Sequence, residues 1–277
     1  MLQRILGFTL SVGNLTRSVR AYERALGWHV SESGRVSAAD AARWNSPAAA
    51  NARFAELREP GGAPAWLRLI EQPPTPGHEP LRTLGWAAVE ILVRDPYALA
   101  RRLDAADFRI AVAPRPIPWD PDIHAMQAVG PDGELLYLTR LPSERTILDL
   151  TPARAEVDRA FIAVLASSQL EASLQFYHET LATPVLEPAS TVVQIVNDAF
   201  ALAADSRTRL AVVKLPRDFL IEIDEYPAAA QRRLYTDGRL PPGISMVTFE
   251  TDREAISSGP LIVGPDGEWL DLHPVTT

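Results

Sequence analysis

Side chains that can hold a ligand or move a proton alternate along several strand-like stretches of the sequence. Residues two apart on a β-strand point to the same face of the sheet. Three sets share a face in this way: Trp66 with Arg68, Glu222 with Asp224, and Trp269 with Asp271 and His273. Carboxylates crowded on one buried wall raise one another's pKa, as a general acid or base requires at neutral pH. An arginine beside a tryptophan favours a flat anion, through paired hydrogen bonds and stacking.

The composition indicates a globular chain without thiol chemistry. Its 277 residues are 47% hydrophobic and 22% charged, with no cysteine and a net charge of -8. A chain of this length forms two domains or one large one, and the missing cysteine excludes disulfides, thiolate metal sites and cysteine nucleophiles. The negative charge and the lack of a long apolar run argue against nucleic acid and membranes as partners. Because MLQRILGFTL is too short for a signal peptide, we expect a cytoplasmic protein.

The elements that must carry these side chains occur twice. LTRSVRAYERALGWHV has a counterpart in LEASLQFYHETLATPV, each with apolar residues at helical spacing, and GPDGELLYLTR has a counterpart in GPDGEWLDLHP. A Pro-Asp-Gly sequence between apolar runs predicts a tight turn. The helix-like stretch PYALARRLDAADF has no counterpart before the second GPDGE, so the last unit is expected to lack its helix.

The stretches LTRSVRAYERALGW and LEASLQFYHETL, together with the two GPDGE turns, resemble the vicinal oxygen chelate superfamily of glyoxalases, bleomycin-resistance proteins and extradiol dioxygenases. The resemblance covers nearly the whole chain. It implies an α+β fold of four βαβββ modules paired into two half-open barrel domains, with the last module lacking its helix. We expect these domains at residues 1–141 and 157–277, each built from two consecutive modules and joined by a linker at 142–156. Because this fold hosts unrelated chemistries, the resemblance does not name the reaction.

The resemblance also implies where metal ligands would stand. The matching residues are Gly7, Arg68, Ala88 and Tyr137 in the first domain and Ile162, Glu222, Met246 and Asp271 in the second. Metal-dependent relatives place histidine and glutamate there, whereas here no histidine remains and an arginine repels a cation. We therefore expect no metal or other cofactor, and no extradiol dioxygenase reaction. A noncanonical metal site at Glu222, Asp271 and His273 is the alternative.

The same positions fix which strand faces look into each barrel. The expected substrate-binding residues of the first barrel are Trp66, Arg68, Glu90, His124 and Tyr137. The expected residues of the second barrel are the catalytic pair Glu222 and Asp271, with Trp269 and His273 at the substrate. The structural alternatives are an internal Arg68–Glu90 ion pair in the first barrel and solvated carboxylates in the second. The proline-dense segment 114–126 is expected to form a rim, either over a ligand or against the other domain.

Three functions are compatible with these residues. The first is a metal-independent glyoxalase-like enzyme, of lyase or isomerase type, that acts on a small carbonyl or aromatic compound. The second is a non-catalytic small-molecule binding or resistance protein of the same superfamily, and the third is a metal enzyme with the noncanonical site. The missing helix would expose an apolar sheet face that must be covered. We therefore also expect an extensive contact between the halves, or a homodimer.

Overall fold

The computed structural model describes residues 1–103, 105–143, 146–236, 238–253, 259 and 261–275. Within these ranges the chain forms four consecutive modules of strands and short helices. None of the helices found there is long and apolar enough to cross a membrane.

The elements follow the order that the repeat predicts. Module one comprises β1 (Leu2–Val12), α1 (Leu15–Leu26), β2 (His29–Arg35), α2 (Ala38–Arg43), β3 (Arg53–Arg58) and β4 (Trp66–Glu71). Module two comprises β5 (Gly85–Val93), α3 (Pro96–Leu103), β6 (Arg109–Ile117), β7 (Asp120–Val129) and β8 (Leu135–Arg140). Module three comprises β9 (Val157–Ser167), α4 (Leu170–Gln175), β10 (Ala189–Thr191), α5 (Gln194–Ala199), β11 (Thr208–Leu215) and β12 (Phe219–Glu225). Module four comprises β13 (Ile244–Thr251), β14 (Ile262–Val263) and β15 (Trp269–Pro274), and its described residues form no helix. The expected loss of that helix also concerns residues 254–258 and 260. These residues lie outside the described ranges.

The first helix shows how the sequence sets the ends of the repeated elements. The Asn14 side chain accepts a hydrogen bond from the backbone N–H of Arg17, which satisfies a donor that the first turn leaves free. Gly27 ends the helix at φ 72°, and its N–H bonds the carbonyl of Glu23. Glycine adopts this left-handed conformation without steric cost, so α1 stops there and the chain turns into β2.

Two curled sheets carry the four modules. Sheet I has seven strands in the order β14-β15-β13-β1-β4-β3-β2 and combines modules one and four. Sheet II has eight strands in the order β10-β11-β12-β9-β5-β8-β7-β6 and combines modules two and three. The joint in sheet I is antiparallel, with Gly7 beside Thr248, and the joint in sheet II is antiparallel, with Glu90 beside Ile162. The α+β fold of paired modules is therefore confirmed.

The partners within each sheet differ from the expected ones. We expected consecutive modules to share a barrel, whereas each sheet takes one module from each side of the linker. The first strands of all four modules are apolar, so either pairing buries the same faces and the local pattern does not choose between them. The division of the strands into sheets does not test the domain boundaries 1–141, 142–156 and 157–277. These boundaries stay a prediction.

The apolar outer face of module four is covered from within the chain. Val247, Phe249, Leu270 and Leu272 are all at most 2% exposed and belong to the main hydrophobic core. The Trp86 ring lies 6.1 Å from that of Phe249, and its indole N–H donates to the carbonyl of Trp269 at 2.8 Å. The start of β5 in sheet II thus packs on sheet I where a helix would otherwise lie. A homodimer stays a prediction.

Candidate functional site

The concave face of sheet II encloses a cavity of about 400 Å³. Its polar floor comes from three strands: Glu90 on β5, Tyr137 on β8 and Glu222 on β12. Glu90 and Tyr137 are neighbours in the parallel register of β5 and β8. Glu222 lies beside Val164 of β9, the strand between β12 and β5. Two separate modules therefore supply the carboxylates, which the β5–β9 joint brings to one wall.

The two glutamates differ from ordinary carboxylates in their acidity. Burial acts first and the neighbouring Glu222 second to raise the pKa of Glu90 to about 8. Burial raises the pKa of Glu222 to about 7. Glu90 is 6% exposed, and Glu222 is half-buried with its side chain on the cavity. The pair therefore holds a proton near neutral pH, where an isolated glutamate is ionised, and an acid–base pair needs this arrangement.

A third carboxylate is buried next to the floor without lining the cavity. Asp224 follows Glu222 on the same face of β12, is fully buried, and finds no hydrogen-bond partner for either oxygen among the described residues. Burial, then the charges of Glu222 and Glu90, raise its pKa well above the ordinary value. The hydroxyls of Tyr137 and Tyr226 are also buried without a partner in the described ranges. We call the three lining residues Glu90, Tyr137 and Glu222 the acidic floor.

The walls and the mouth of the cavity are mainly apolar. The wall residues are Ile123, Ala125, Ile162, Leu210, Val212 and Leu220. At the mouth, Trp119 is 59% exposed at the tip of the β6–β7 hairpin, and Leu148 is 38% exposed beside it. The proline-dense segment therefore lines the cavity entrance, in agreement with the expected rim. A cavity of this size, apolar with a few convergent polar groups, is typical of a small-molecule site.

The expected anion site around Arg68 is filled by the protein itself. Arg68 donates from Nε and Nη2 to Oε1 of Glu56, at 2.9 and 2.5 Å. Its guanidinium lies 4.4 Å from the centre of the Trp66 ring, with Trp44 and Phe54 also within cation–π distance. The predicted ion pair with Glu90 was wrong, because Glu90 lies in sheet II and Glu56 stands beside Arg68 on β3. Tyr137 is likewise in the other sheet.

The expected catalytic pair is separated. Asp271 lies on β15 of sheet I, whereas Glu222 lies on β12 of sheet II. The Asp271 carboxylate is within 2.7 Å of Arg43 and 3.0 Å of His273. Burial acts to raise the pKa of Asp271, but His273 and then Arg43 outweigh it and lower the pKa below the ordinary value. Asp271 is therefore a paired, ionised carboxylate, and the alternative metal set of Glu222, Asp271 and His273 is not brought together.

Two further candidates lie away from the cavity. Trp269 stacks on Tyr235 with ring centres 5.9 Å apart, on the filled face of sheet I. His124 points to the helix-covered face of sheet II, where its Nδ1 lies 2.9 Å from the hydroxyl of Tyr97 on α3. Its strand neighbours Ile123 and Ala125 face the cavity instead. Among the predicted site residues, Glu90, Tyr137 and Glu222 line the cavity, and Trp66, Arg68, His124, Trp269, Asp271 and His273 do not.

The metal positions that the resemblance implied do not fit a cation in either sheet. Sheet II groups Ala88, Tyr137, Ile162 and Glu222, and sheet I groups Gly7, Arg68, Met246 and Asp271. The Trp66 ring covers Gly7, where a Cβ atom would come within 2.1 Å of it. In sheet II, Glu222 brings one carboxylate against two apolar side chains and a phenol. Across the described ranges no group of three or more His, Asp or Glu side chains is placed to hold a metal ion. Function without a metal stays a prediction.

Some residues in and next to the cavity escaped the sequence analysis. Tyr226, which is buried next to the floor, follows Asp224 by two residues, so the alternation rule extended by one step would have placed it on the same face. The wall formed by residues 186–194 and the linker residues at the mouth carry no motif that points to a ligand. Only the chain fold brings them over the strands.

Comparisons with known proteins concern both the sequence and the fold. The family model of the Glyoxalase/Bleomycin resistance protein/Dioxygenase superfamily matches residues 4–138. Glyoxalase I of Zea mays is 17% identical, with a TM-score of 0.62 over 96% of this chain and 90% of that one. A point mutant of the same maize protein is 16% identical, with a TM-score of 0.66 over 98% and 93%. A putative dioxygenase of Bacillus subtilis is 12% identical, with a TM-score of 0.61 over 99% and 85%. At these identities the likeness concerns the fold. No curated protein matches the sequence.

Proposed function

Because the chain belongs to the glyoxalase/bleomycin resistance protein/dioxygenase superfamily, we propose that it is a metal-independent enzyme of this group, of isomerase or lyase type. Its substrate is a small carbonyl or aromatic compound bound in the cavity of sheet II. One observation carries this proposal: Glu90 and Glu222 share the floor of an otherwise apolar cavity, and their pKa values straddle neutral to mildly alkaline pH. Such a pair can take a proton from one position of a substrate and supply one at another.

The different acidities assign the two roles. Glu222, with the lower pKa of about 7, is the base that removes a proton from a carbon next to the substrate carbonyl. Glu90, with a pKa of about 8, holds a proton and delivers it to the electron-rich enolate that the first step creates. In an isomerase acting on an α-hydroxy carbonyl compound, Glu222 then gives its proton to the former carbonyl carbon, and Glu90 takes back a proton from the hydroxyl of the carbon that was first deprotonated. In a lyase the electron pair of the enolate instead expels a leaving group that takes the proton of Glu90, and the proton held by Glu222 then replaces the one that Glu90 lost.

Tyr137 and the apolar walls position the substrate. The Tyr137 hydroxyl has no partner among the described residues and lines the cavity beside Glu90, so it is free to donate to the developing oxyanion. Ile162 and Leu220 flank the two carboxylates and exclude water, which strengthens each charge interaction in the site. Trp119 and Leu148 at the mouth offer an apolar surface to the entering compound.

Hydrogen–deuterium exchange tests the proposal even while the reaction product is unidentified. Small ketones and aryl carbonyl compounds are incubated with the protein in D₂O, and exchange at the carbon next to the carbonyl is followed by NMR. We expect exchange with a bell-shaped pH profile, rising as Glu222 ionises near pH 7 and falling as Glu90 loses its proton near pH 8. Glu222→Gln should slow exchange by about 100-fold or more, while Asp271→Asn in sheet I leaves it unchanged. Exchange that survives Glu222→Gln and Glu90→Gln together would contradict the proposal.

A binding protein without turnover is the second candidate. Its supporting observation is the wall, which is almost entirely apolar and ends in an exposed tryptophan, as a site for sequestering an aromatic compound would be. The same NMR experiment separates the two functions. A compound that binds tightly, yet shows no exchange in the native protein, identifies a binding protein.

A further inference from the structure

We infer that the cavity of sheet II selects compounds that carry a protonated amine on an apolar aromatic body, and that it rejects the corresponding carboxylates. This inference rests on the site of the proposed function and names its substrate class. It does not depend on which reaction the site performs.

The acidic floor offers far more acceptors than donors. Glu90 and Glu222 bring four carboxyl oxygens to the lining, with two more from Asp224 buried next to them, against which Tyr137 and Thr139 supply two hydroxyl hydrogens. An ammonium group has three N–H donors and no acceptor, so it complements this set, whereas a carboxylate brings two more acceptors. The positive charge also stabilises the ionised form of Glu222 in its apolar surroundings.

The described lining holds no cation that could receive an anion at the floor. Arg115 is its single arginine, lies at the mouth and is exposed to solvent. Glu187 lies near that entrance as well, and the remaining charged residues of the lining are Glu90 and Glu222. The other arginine predicted for a barrel interior, Arg68, is bound to Glu56 in sheet I. An entering anion would therefore lose its water shell without gaining a counter-ion.

The unpartnered atoms of the floor are an independent observation that points to a ligand. The Tyr137 hydroxyl lines the cavity beside Glu90, is buried and has no partner in the described part of the chain. Next to the floor, Asp224 is fully buried with neither oxygen hydrogen-bonded in that part. Buried polar groups of native proteins almost always have a partner. Above this polar layer the walls are aliphatic, so the rest of the ligand is apolar.

Calorimetric titration of the full chain with three isosteric probes tests the selection. The probes are 2-naphthylmethylamine, 2-naphthylmethanol and 2-naphthoate at pH 7.5. We expect the amine to bind about 10-fold or more tighter than the alcohol, and the naphthoate to bind weaker than both. Glu222→Gln and Glu90→Gln should each reduce the preference for the amine to about 3-fold or less, with the affinity for the alcohol unchanged.

A variant with a blocked cavity separates failure of this inference from failure of the proposed function. Ala125→Trp fills the wall and should abolish binding of all probes, and Val212→Trp replaces it if that variant does not fold. Naphthoate or alcohol binding as tightly as the amine, and blocked by Ala125→Trp, overturns the amine selection but leaves the site standing. Absence of binding by all three probes also overturns the selection. Binding that survives the blocked cavity overturns the site and the proposed function with it.

Discussion

The Tyr22 hydroxyl donates a 2.7 Å hydrogen bond to Oε1 of Glu134, and both residues are buried. Tyr22 belongs to α1 of module one, which is part of sheet I, and Glu134 ends the GPDGE turn of module two, which is part of sheet II. The Ser18 hydroxyl adds a 2.5 Å bond to the Asp132 carboxylate of the same turn. The repeated turn therefore joins a helix of one sheet to a strand pair of the other.

The second GPDGE turn repeats this contact with one difference. Ser173 of α4 donates to Asp266 at 3.2 Å, as Ser18 does to Asp132. Burial raises the pKa of Tyr177, followed by the charges of Glu268 and Asp266 and a hydrogen-bonding contact with Glu268, but that contact does not reach the geometry of the Tyr22–Glu134 bond. The duplication thus explains why GPDGE occurs twice, and it supplies a matched pair of tyrosines with one well-formed and one weaker contact.

This pair yields a stability prediction. Tyr22→Phe removes a buried bond and leaves Glu134 without its phenolic partner, which should lower the free energy of unfolding by about 1–3 kcal/mol. Tyr177→Phe removes only the weaker contact with Glu268 and should cost less. Urea denaturation of both variants measures the difference. Equal losses would show that the two turns are held in the same way.

Arg233 bridges the two sheets through four backbone carbonyls. Its guanidinium donates to Leu84 at 3.3 Å and Trp86 at 2.5 Å on the side of sheet II, and to Pro242 at 3.0 Å and Ile244 at 2.6 Å on the side of sheet I. Arg233 is 7% exposed, and burial lowers its pKa to about 10, so it stays charged at neutral pH.

Removal of this bridge should be costly. Arg233→Met leaves several buried carbonyl oxygens without donors, at about 1–3 kcal/mol for each group that water does not reach. We expect a loss of at least about 3 kcal/mol in the free energy of unfolding, measured by chemical denaturation. The exposed neighbour Arg232→Met is the control and should change stability by less than about 0.5 kcal/mol. A small effect at Arg233 would mean that the sheets are held mainly by apolar packing.

The buried carboxylates predict an unusual dependence of stability on pH. The pKa of Glu90 is about 8 in the folded state, against an ordinary value of 4.5. Below about pH 4.5 both states hold the proton, and between about 4.5 and 8 only the folded state holds it. Stability therefore falls as pH rises through this window, by about 1.4 kcal/mol per pH unit for each such group. Glu222, Glu134 and Glu268, with pKa values of about 7, act in the same direction.

Thermal denaturation at pH 5.5 and 8.5 measures this effect. The native chain should lose stability between the two pH values, and Glu90→Gln should lose less because its amide does not titrate. The exposed Glu32→Gln is the control and should follow the native chain. Stability that rises toward pH 8.5 would mean that Glu90 is ionised in the folded state.

The sequence predicted the modules and much of the cavity floor. Strand alternation placed Glu90, Tyr137 and Glu222 on inward faces, and the structure brings these three together. It did not predict which modules pair, because the β1–β13 and β5–β9 joints connect residues more than 60 positions apart and rest on apolar strands that resemble one another. Because the modules pair differently from the expected way, Glu222 and Asp271 lie in different sheets.

The filled face of sheet I was hidden for a different reason. Trp44 and the short helix α2 lie between β2 and β3 and pack into the concave side, together with Ile70, Met246 and Trp269. AADAARW carries no periodicity long enough to predict which surface it covers. Because this segment fills the space, Arg68 and Asp271 contact the segment and do not bind a ligand there.

The last prediction tests whether Arg68 has a structural role. Arg68→Lys keeps the charge but loses the two bonds from Nε and Nη2 to Glu56 and the stacking on Trp66. We expect unfolding to become easier by about 1–3 kcal/mol, while the affinity for 2-naphthylmethylamine and the rate of deuterium exchange stay unchanged. The control is the exposed Arg53→Lys on the neighbouring strand β3. A residue confined to the filled face of sheet I cannot touch a compound held by Glu222 in sheet II. A fall in ligand affinity at unchanged stability would therefore contradict the structural role and place Arg68 in a binding site.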